Sequence, residues 1–459
     1  MRMSGVGRRG GVVAKWRILA GGGVALGVAS AFLFGDSAAR QSEHALRATA
    51  AASATRAASD QGSLSQLLAG FSTGNTAAYV LGLERRVERE PRDGQALTLL
   101  ALAYQQRARE TGDPSYYRLS ASALARAGAA GGPSGLVLQA RASLANTRHR
   151  FRAGLLLARR AVRLDRYNAS AYGALGDSLL NLGRYRAAFA AYDRMAVLAP
   201  GIAAFARVAN ARELIGRPSA AIEALRLALE ADSTVPEQVA WTEVQLGNVH
   251  FNLGELGAAA AAYRTALRRL PGFVHAEAGL ARVDAARARY ARATRRLEHV
   301  VQVLPLPAYV ILLGDVRRAA GDRAGASRAY RLVAAIERLF EANGVRTELQ
   351  TALFDLDHDR RVPAALARAR AAYASAPGVY AEDVLAWGLA RSGRCGEARA
   401  HSLEALRLGT RDALLFFHRG MIERCLGHRV AGDAFLRRAL ALNPHFSLLW
   451  APVARRALG

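Results

Sequence analysis

The chain has 459 residues, 51% of them hydrophobic and 7% aromatic, with two cysteines and a formal net charge of +26. Apolar residues are too frequent and too regularly placed for a disordered protein, and two cysteines exclude both a disulfide scaffold and a Cys-rich zinc module. All of the 63 basic residues but Lys15 are arginine, and they recur along the whole length, often interleaved with acids at helical spacing, as in Glu84, Arg85, Arg86, Glu88, Arg89 and Glu90. Such dispersal reads as solvated helix faces; a basic field gathered on one side would instead attract nucleic acid, anionic lipid or acidic polymer.

In chain order, residues 1–17 form a basic flank with Arg2, Arg8, Arg9, Lys15 and Arg17 and no acid. Residues 18–35, ILAGGGVALGVASAFLFG, carry no charge. As a helix they would extend about 27 Å, just under a hydrocarbon core of about 30 Å. They serve either as a transmembrane anchor or as the core of a secretory signal cleaved after Ala39. The run is longer than the roughly 7–15 residues usual for a signal core, which favours the anchor. Either way the remainder lies outside the cytoplasm, because the positive flank stays in. No cysteine is near enough for a lipoprotein anchor, and Gly10-Gly11 after Arg8-Arg9 is a poor match to a twin-arginine signal. Residues 36–74 are an Ala/Ser-rich linker.

From about residue 75 to 445 a beat of 34 residues takes over. Pro271 and Pro305 keep that distance, and glycines recur seven apart at Gly176 and Gly183, Gly247 and Gly254, Gly314 and Gly321, and Gly420 and Gly427. In residues 169–200, Tyr172, Leu175, Gly176 and Leu179 fall on one face of a first helix. Gly183 ends it, and Tyr185, Ala188, Phe189 and Tyr192 open the inward face of a second. Pro200 stops that helix.

This pattern resembles the tetratricopeptide repeat. A second strong copy has Leu246, Gly247, Gly254, Ala259, Tyr263, Ala266 and Pro271; others centre on Gly314, Gly321, Ala326 and Tyr330, and on Phe416, Gly420, Gly427, Ala439 and Pro444. Weaker units fill the gaps in step, among them a divergent one over 94–131 with its turn at Thr111-Gly112-Asp113-Pro114. The resemblance implies an all-α fold, a right-handed solenoid of eight to ten stacked helix pairs, capped by residues 446–459. Such units cannot hide their apolar faces alone and must stack. Two departures stand out: Glu243 replaces the expected aromatic, with Trp241 two positions earlier, and a long second helix predicts a joint near Asn343-Gly344.

No P-loop, Gly-x-Ser-x-Gly elbow or His-Glu-x-x-His motif is present, so neither an enzyme nor a cofactor is expected. Asp355, Asp357, His358 and Asp359 form the densest ligand-like cluster, read as a polar helix end before Arg360 and Arg361 rather than a cation site. His418, in apolar company, reads as packed. Cys395 and Cys425 sit in adjacent units. A bridge needs Cα atoms within about 7 Å, whereas neighbouring helices pack about 8–10 Å apart, so a disulfide and two separate thiols both stay open.

The resemblance further implies that first helices line a concave groove. In the two clearest units it points to Ser170, Gly173, Asp177, Leu180 and Asn181, then Trp241, Val244, Asn248, Phe251 and Asn252. The expected function is a scaffold that binds a protein or peptide there, tethered to the membrane by its amino-terminal segment and without a specific nucleic-acid partner. The alternative is an arginine-driven binder of anionic envelope polymer or lipid headgroups.

Overall fold

The computed structural model describes residues 75–131, 134–231 and 235–459. The basic flank, the apolar segment and the linker lie outside the described residues. Among the described residues there are twenty-two helices and no strand, and no helix is long and apolar enough to cross a membrane. Helix α1 (Thr76–Arg89) precedes ten helix pairs. They are α2/α3 (Gly94–Thr111, Ser115–Gly131), α4/α5 (Gly135–Thr147, Phe151–Leu164), α6/α7 (Ala169–Asn181, Tyr185–Leu198) and α8/α9 (Ile202–Leu214, Pro218–Glu230). Next come α10/α11 (Pro236–Asn252, Leu256–Arg269), α12/α13 (Val274–Ala286, Tyr290–Val303) and α14/α15 (Pro307–Ala319, Arg323–Ala342). The last are α16/α17 (Glu348–Asp357, Val362–Ser375), α18/α19 (Val379–Arg391, Cys395–Ala405) and α20/α21 (Ala413–Cys425, Arg429–Leu442), followed by the capping helix α22 (Trp450–Leu458).

Short polar side chains start several helices by accepting hydrogen bonds from the otherwise unpaired first amides. Asp93 accepts from Gln95 and Ala96, Asn168 from Ala171, and Asp322 from Gly325. The turn inside every pair passes through one left-handed residue, except in α16/α17, where Arg361 at a φ of 44° joins Asp359. In seven pairs this is glycine, at 112, 183, 216, 254, 321, 393 and 427; in the other three it is His149, Ala288 and Asp359. A side chain in that region costs about 1–2 kcal/mol, so these three turns are held by their surroundings rather than by local preference.

Packing within a pair turns on a glycine and a tyrosine sixteen residues later. An added Cβ at Gly176, Gly247 or Gly314 would collide with the ring of Tyr192, Tyr263 or Tyr330 respectively. Tyr192 and Tyr263 are essentially fully buried, each contributing roughly 1.5–3 kcal/mol by leaving water. Alanines at 169, 171, 174, 188, 259, 266 and 276 are fully buried around them, which lets adjacent backbones approach closely. Helix α10 starts at Pro236 and is one turn longer than most first helices, which accommodates Glu237 and Trp241 ahead of the shared pattern. At the joint near Asn343-Gly344 the stack continues through side chains. Thr351 donates to Glu337 at 2.7 Å, and Phe354 packs on Tyr330 with ring centres 5.6 Å apart.

The stack coils back onto itself. The His149 ring meets the Arg346 carbonyl at 2.6 Å, the Val379 amide donates to the Tyr185 hydroxyl at 2.7 Å, Thr410 Oγ1 donates to the Leu214 carbonyl at 2.8 Å, and Asn443 Nδ2 donates to the Phe251 carbonyl at 2.8 Å. These partners are separated by 197, 194, 196 and 192 residues. The near-constant offset defines one turn of the coil. Turns inside α4/α5, α6/α7, α8/α9 and α10/α11 rest on the loops after α15, α17, α19 and α21. Gly112 continues the same seam against Leu304 and Leu306. Successive turns therefore touch along their edges, and the first and last pairs do not share a core.

Candidate functional site

Because adjacent turns touch, the inner face is a channel rather than an open groove. Its cavity of about 900 Å³ is lined by the first helix of every pair, from Gln95 and Gln106 on α2 to Asp412, which caps α20, and Leu414 on α20 itself. All eight groove residues inferred from the resemblance, Asp177, Leu180, Asn181, Trp241, Val244, Asn248, Phe251 and Asn252, lie on its wall. Ser170 and Gly173 do not; Gly173 packs against Met195 and Arg207.

Lining a wall is not the same as presenting a free group. The Tyr192 hydroxyl donates to Asp177 at 3.0 Å, Tyr263 to Asn248 at 2.8 Å and Tyr330 to Asp315 at 2.7 Å, each across fifteen residues. A residue from a following unit joins each acceptor. Arg207 grips both Asp177 oxygens at 2.9 Å, Arg282 reaches Asn248 at 3.5 Å, and His358 meets Asp315 at 2.8 Å. Burial opposes charge on His358, but the hydrogen bond to the Asp315 carboxylate outweighs it and raises the imidazole pKa above its ordinary value. Asn181 donates to the Asp177 carbonyl at 2.8 Å, and Asn252 bonds Glu213. Leu180, Val244 and Phe251 are buried, with the Arg282 guanidinium 4.1 Å from the Phe251 ring centre. These residues fix the curvature of the wall.

Other lining side chains were not anticipated. His275 meets Trp241 edge-on with centres 4.7 Å apart and contacts Tyr309 at 5.9 Å; burial pushes its pKa down to about 4, so the ring is neutral near pH 7. At the seam, Glu213 on α8 and Asp412 at the start of α20 come from different turns. Burial, reinforced by Asp412, lifts the Glu213 carboxyl to about 8, and burial lifts Asp412 to about 6. Tyr380 stands beside both, and its hydroxyl is driven well above 10 by burial and then by those two carboxyls. A sequence signal existed for the tyrosine acceptors: each is the Asp or Asn immediately after the signature glycine, at 177, 248 and 315.

The acidic cluster of α16 does not converge on one point. Asp355 is fully buried among Arg360, Arg361 and Arg368; Asp357 accepts from the indoles of Trp387 at 3.0 Å and Trp450 at 2.9 Å; Asp359 pairs with Arg391. Among the described residues no group of His, Cys, Asp and Glu is placed to hold a metal. His418 is fully buried, bonded to Asp383 at 2.8 Å and stacked on Trp387 at 4.4 Å. Cys395 at the start of α19 and Cys425 at the end of α20 form a disulfide with Cα atoms 6.1 Å apart.

The tetratricopeptide repeat family model matches residues 169–196 and 244–271, the α6/α7 and α10/α11 pairs, so the chain carries tetratricopeptide repeats there. Among solved structures, MamA is 20% identical over 35% of this chain and 92% of its own, with a TM-score of 0.28. A human IFIT1 dimer with PPP-AAAA is 14% identical over 83% of this chain and 90% of its own, TM-score 0.45. BtubC from P. vanneervenii is 19% identical over 42% and 91%, TM-score 0.34. No curated protein matches the sequence.

Proposed function

We propose that this protein is a non-catalytic interaction scaffold whose inner channel receives a segment of a partner protein or a peptide. The observation that carries the reading is convergence: the first helices of all ten pairs face one cavity. On that wall, among the described residues, Asn210, Gln245 and Gln350 have no intrachain side-chain hydrogen bond. Amide side chains with unused donors and acceptors suit an extended backbone. The array stands outside the cytoplasmic membrane, held by residues 18–35 or released after cleavage. The Cys395–Cys425 bridge supports that placement, since such bonds persist in oxidising compartments.

A photoreactive residue at position 245 in cells tests the reading, with position 264 on the outer surface as control. A partner captured from 245 and not from 264 is the expected result; capture only from 264 rejects the channel. A second reading has a different surface behind it. Arg159, Arg160 and Arg163 on α5, with Arg264, Arg268 and Arg269 on α11, are exposed on outer helices and would meet anionic envelope polymer or lipid headgroups. Salt-sensitive sedimentation with anionic vesicles, unaffected by changes at 245, is its signature.

A further inference from the structure

The chain carries 62 arginines against 37 acids, yet the channel wall reverses that balance, with five arginines and eight carboxylates. Burial lifts the Glu213, Glu237, Glu337 and Asp357 carboxyls above their ordinary values, and a cation drawn into the channel would pull them back toward the ionised form. Most of the wall arginines are already engaged. Arg207 is held by Asp177, Arg346 bonds Glu348 at 3.1 Å, and Arg282 lies over Phe251. Asp315, Asp357 and Asp412, by contrast, have no arginine within ion-pair distance among the described residues. These three are instead held by His358 and Tyr330, by the Trp387 and Trp450 indoles, and by the first amides of α20, so the wall carries carboxylates whose charge no guanidinium offsets.

Aromatic surface accompanies it. Trp241, the neutral His275 ring and Tyr309 form a connected wall, and Phe251 shows how that wall treats a guanidinium, with Arg282 seated on its face. Carboxylates beside aromatic faces are the surroundings in which an Arg or Lys side chain is attracted both by charge and by the ring quadrupole. The seam adds a constraint of shape, because turns that touch leave no open side through which a folded domain could settle.

We propose that the channel selects an extended cationic peptide segment, carrying Arg or Lys at intervals, from a partner protein. The inference rests on the channel reading above and adds the chemistry of its occupant. The outer arginines then keep anionic polymers on the outside and repel a cationic ligand from every surface but the channel.

The test uses the full chain and two fluorescein-labelled octapeptides, alternating Arg-Ala and alternating Glu-Ala, followed by anisotropy at physiological salt. The Arg peptide is expected to bind at least about tenfold more tightly than the Glu peptide despite the net charge of +26. Asn210→Arg with Gln245→Arg places two cations on the wall without touching a structural bond. It is expected to weaken the Arg peptide about tenfold or more, with the circular dichroism spectrum unchanged. Arg-peptide binding that ignores this double variant overturns the proposal, as does a Glu peptide or an oligoadenylate that binds the unchanged chain more tightly than the Arg peptide. If position 245 captures a partner in cells but the Arg peptide does not bind, the cationic occupant is wrong and the channel stands; if both fail, both fall. An affinity gain of about tenfold when Arg2, Arg8, Arg9, Lys15 and Arg17 are replaced by Gln would make the chain's own flank the occupant, and overturn a partner supplied from outside.

Discussion

Two kinds of joint hold this molecule. Between neighbouring pairs the contact is apolar and continuous, built from buried alanines, signature glycines and the tyrosines that fill the space they leave. Between successive turns it is narrow, a row of single hydrogen bonds from loop to turn near residues 149, 185, 214 and 251 with a small apolar patch where Leu179 and Leu214 meet Val379 and Leu415. Apolar burial scales with area, whereas one hydrogen bond contributes about 0.5–1.5 kcal/mol net. The stack is thus the stronger joint and the seam the one that opens first, so shape and stability are governed by different residues.

The largest effect should come from the one covalent link within the stack. Replacing both Cys395 and Cys425 by Ser frees a tie across 30 residues and should lower the stability of the carboxy-terminal pairs by about 3–4 kcal/mol, read by urea unfolding of the oxidised protein and the variant. An unchanged midpoint would show that packing alone holds α19 and α20. Gly247→Leu forces a side chain into the Tyr263 ring and should cost about 3 kcal/mol, with protease cleavage appearing around α10 and α11.

A seam substitution should behave differently. Gly216→Val puts a branched side chain at a φ of 73° directly against the Gly409 carbonyl, a cost of about 2 kcal/mol. Its signature is faster amide exchange near residues 214 and 410 while amides inside α6 to α11 stay protected. Loss of protection throughout would mean that seam and stack are one cooperative unit.

The seam also carries a pH dependence. Glu213 has a folded pKa of about 8, above its ordinary 4.5, so the folded state binds the extra proton between those values. Stability from this group is therefore greatest at low pH and declines as pH rises through about 8, when Glu213 ionises opposite an already ionised Asp412. Exchange at the seam, corrected for its intrinsic pH dependence, should quicken from pH 6 to 9, and Glu213→Gln should flatten the curve. The smallest effect is a gain: Ala288→Gly relieves a φ of 56° and should stabilise by about 1 kcal/mol in thermal melts.

The stack was legible because its rules repeat. A glycine facing a tyrosine sixteen residues on recurs at 176, 247 and 314, and each copy corroborates the others. Units whose turns use His149, Ala288 or Asp359 in place of glycine read as weak, though their geometry is the same. The seam was not legible, because it joins a turn of one unit to a loop of another through backbone carbonyls, which leave little trace in residue identity. The channel wall falls between these cases. The family resemblance placed Asp177 and Asn248 on the inner face, but their hydrogen bonds to Tyr192 and Tyr263 depend on how two helices meet. Arg207 needed the stacking of the next pair, and Asp412 the curvature of the whole coil.

A coil whose loops land on earlier turns at a fixed interval cannot be lengthened or shortened one unit at a time. Removing a single pair from the middle would carry every later landing point onto the turn before its own, where the residues waiting to receive it are different. In most repeat arrays the number of units is free to drift; here the winding itself counts them.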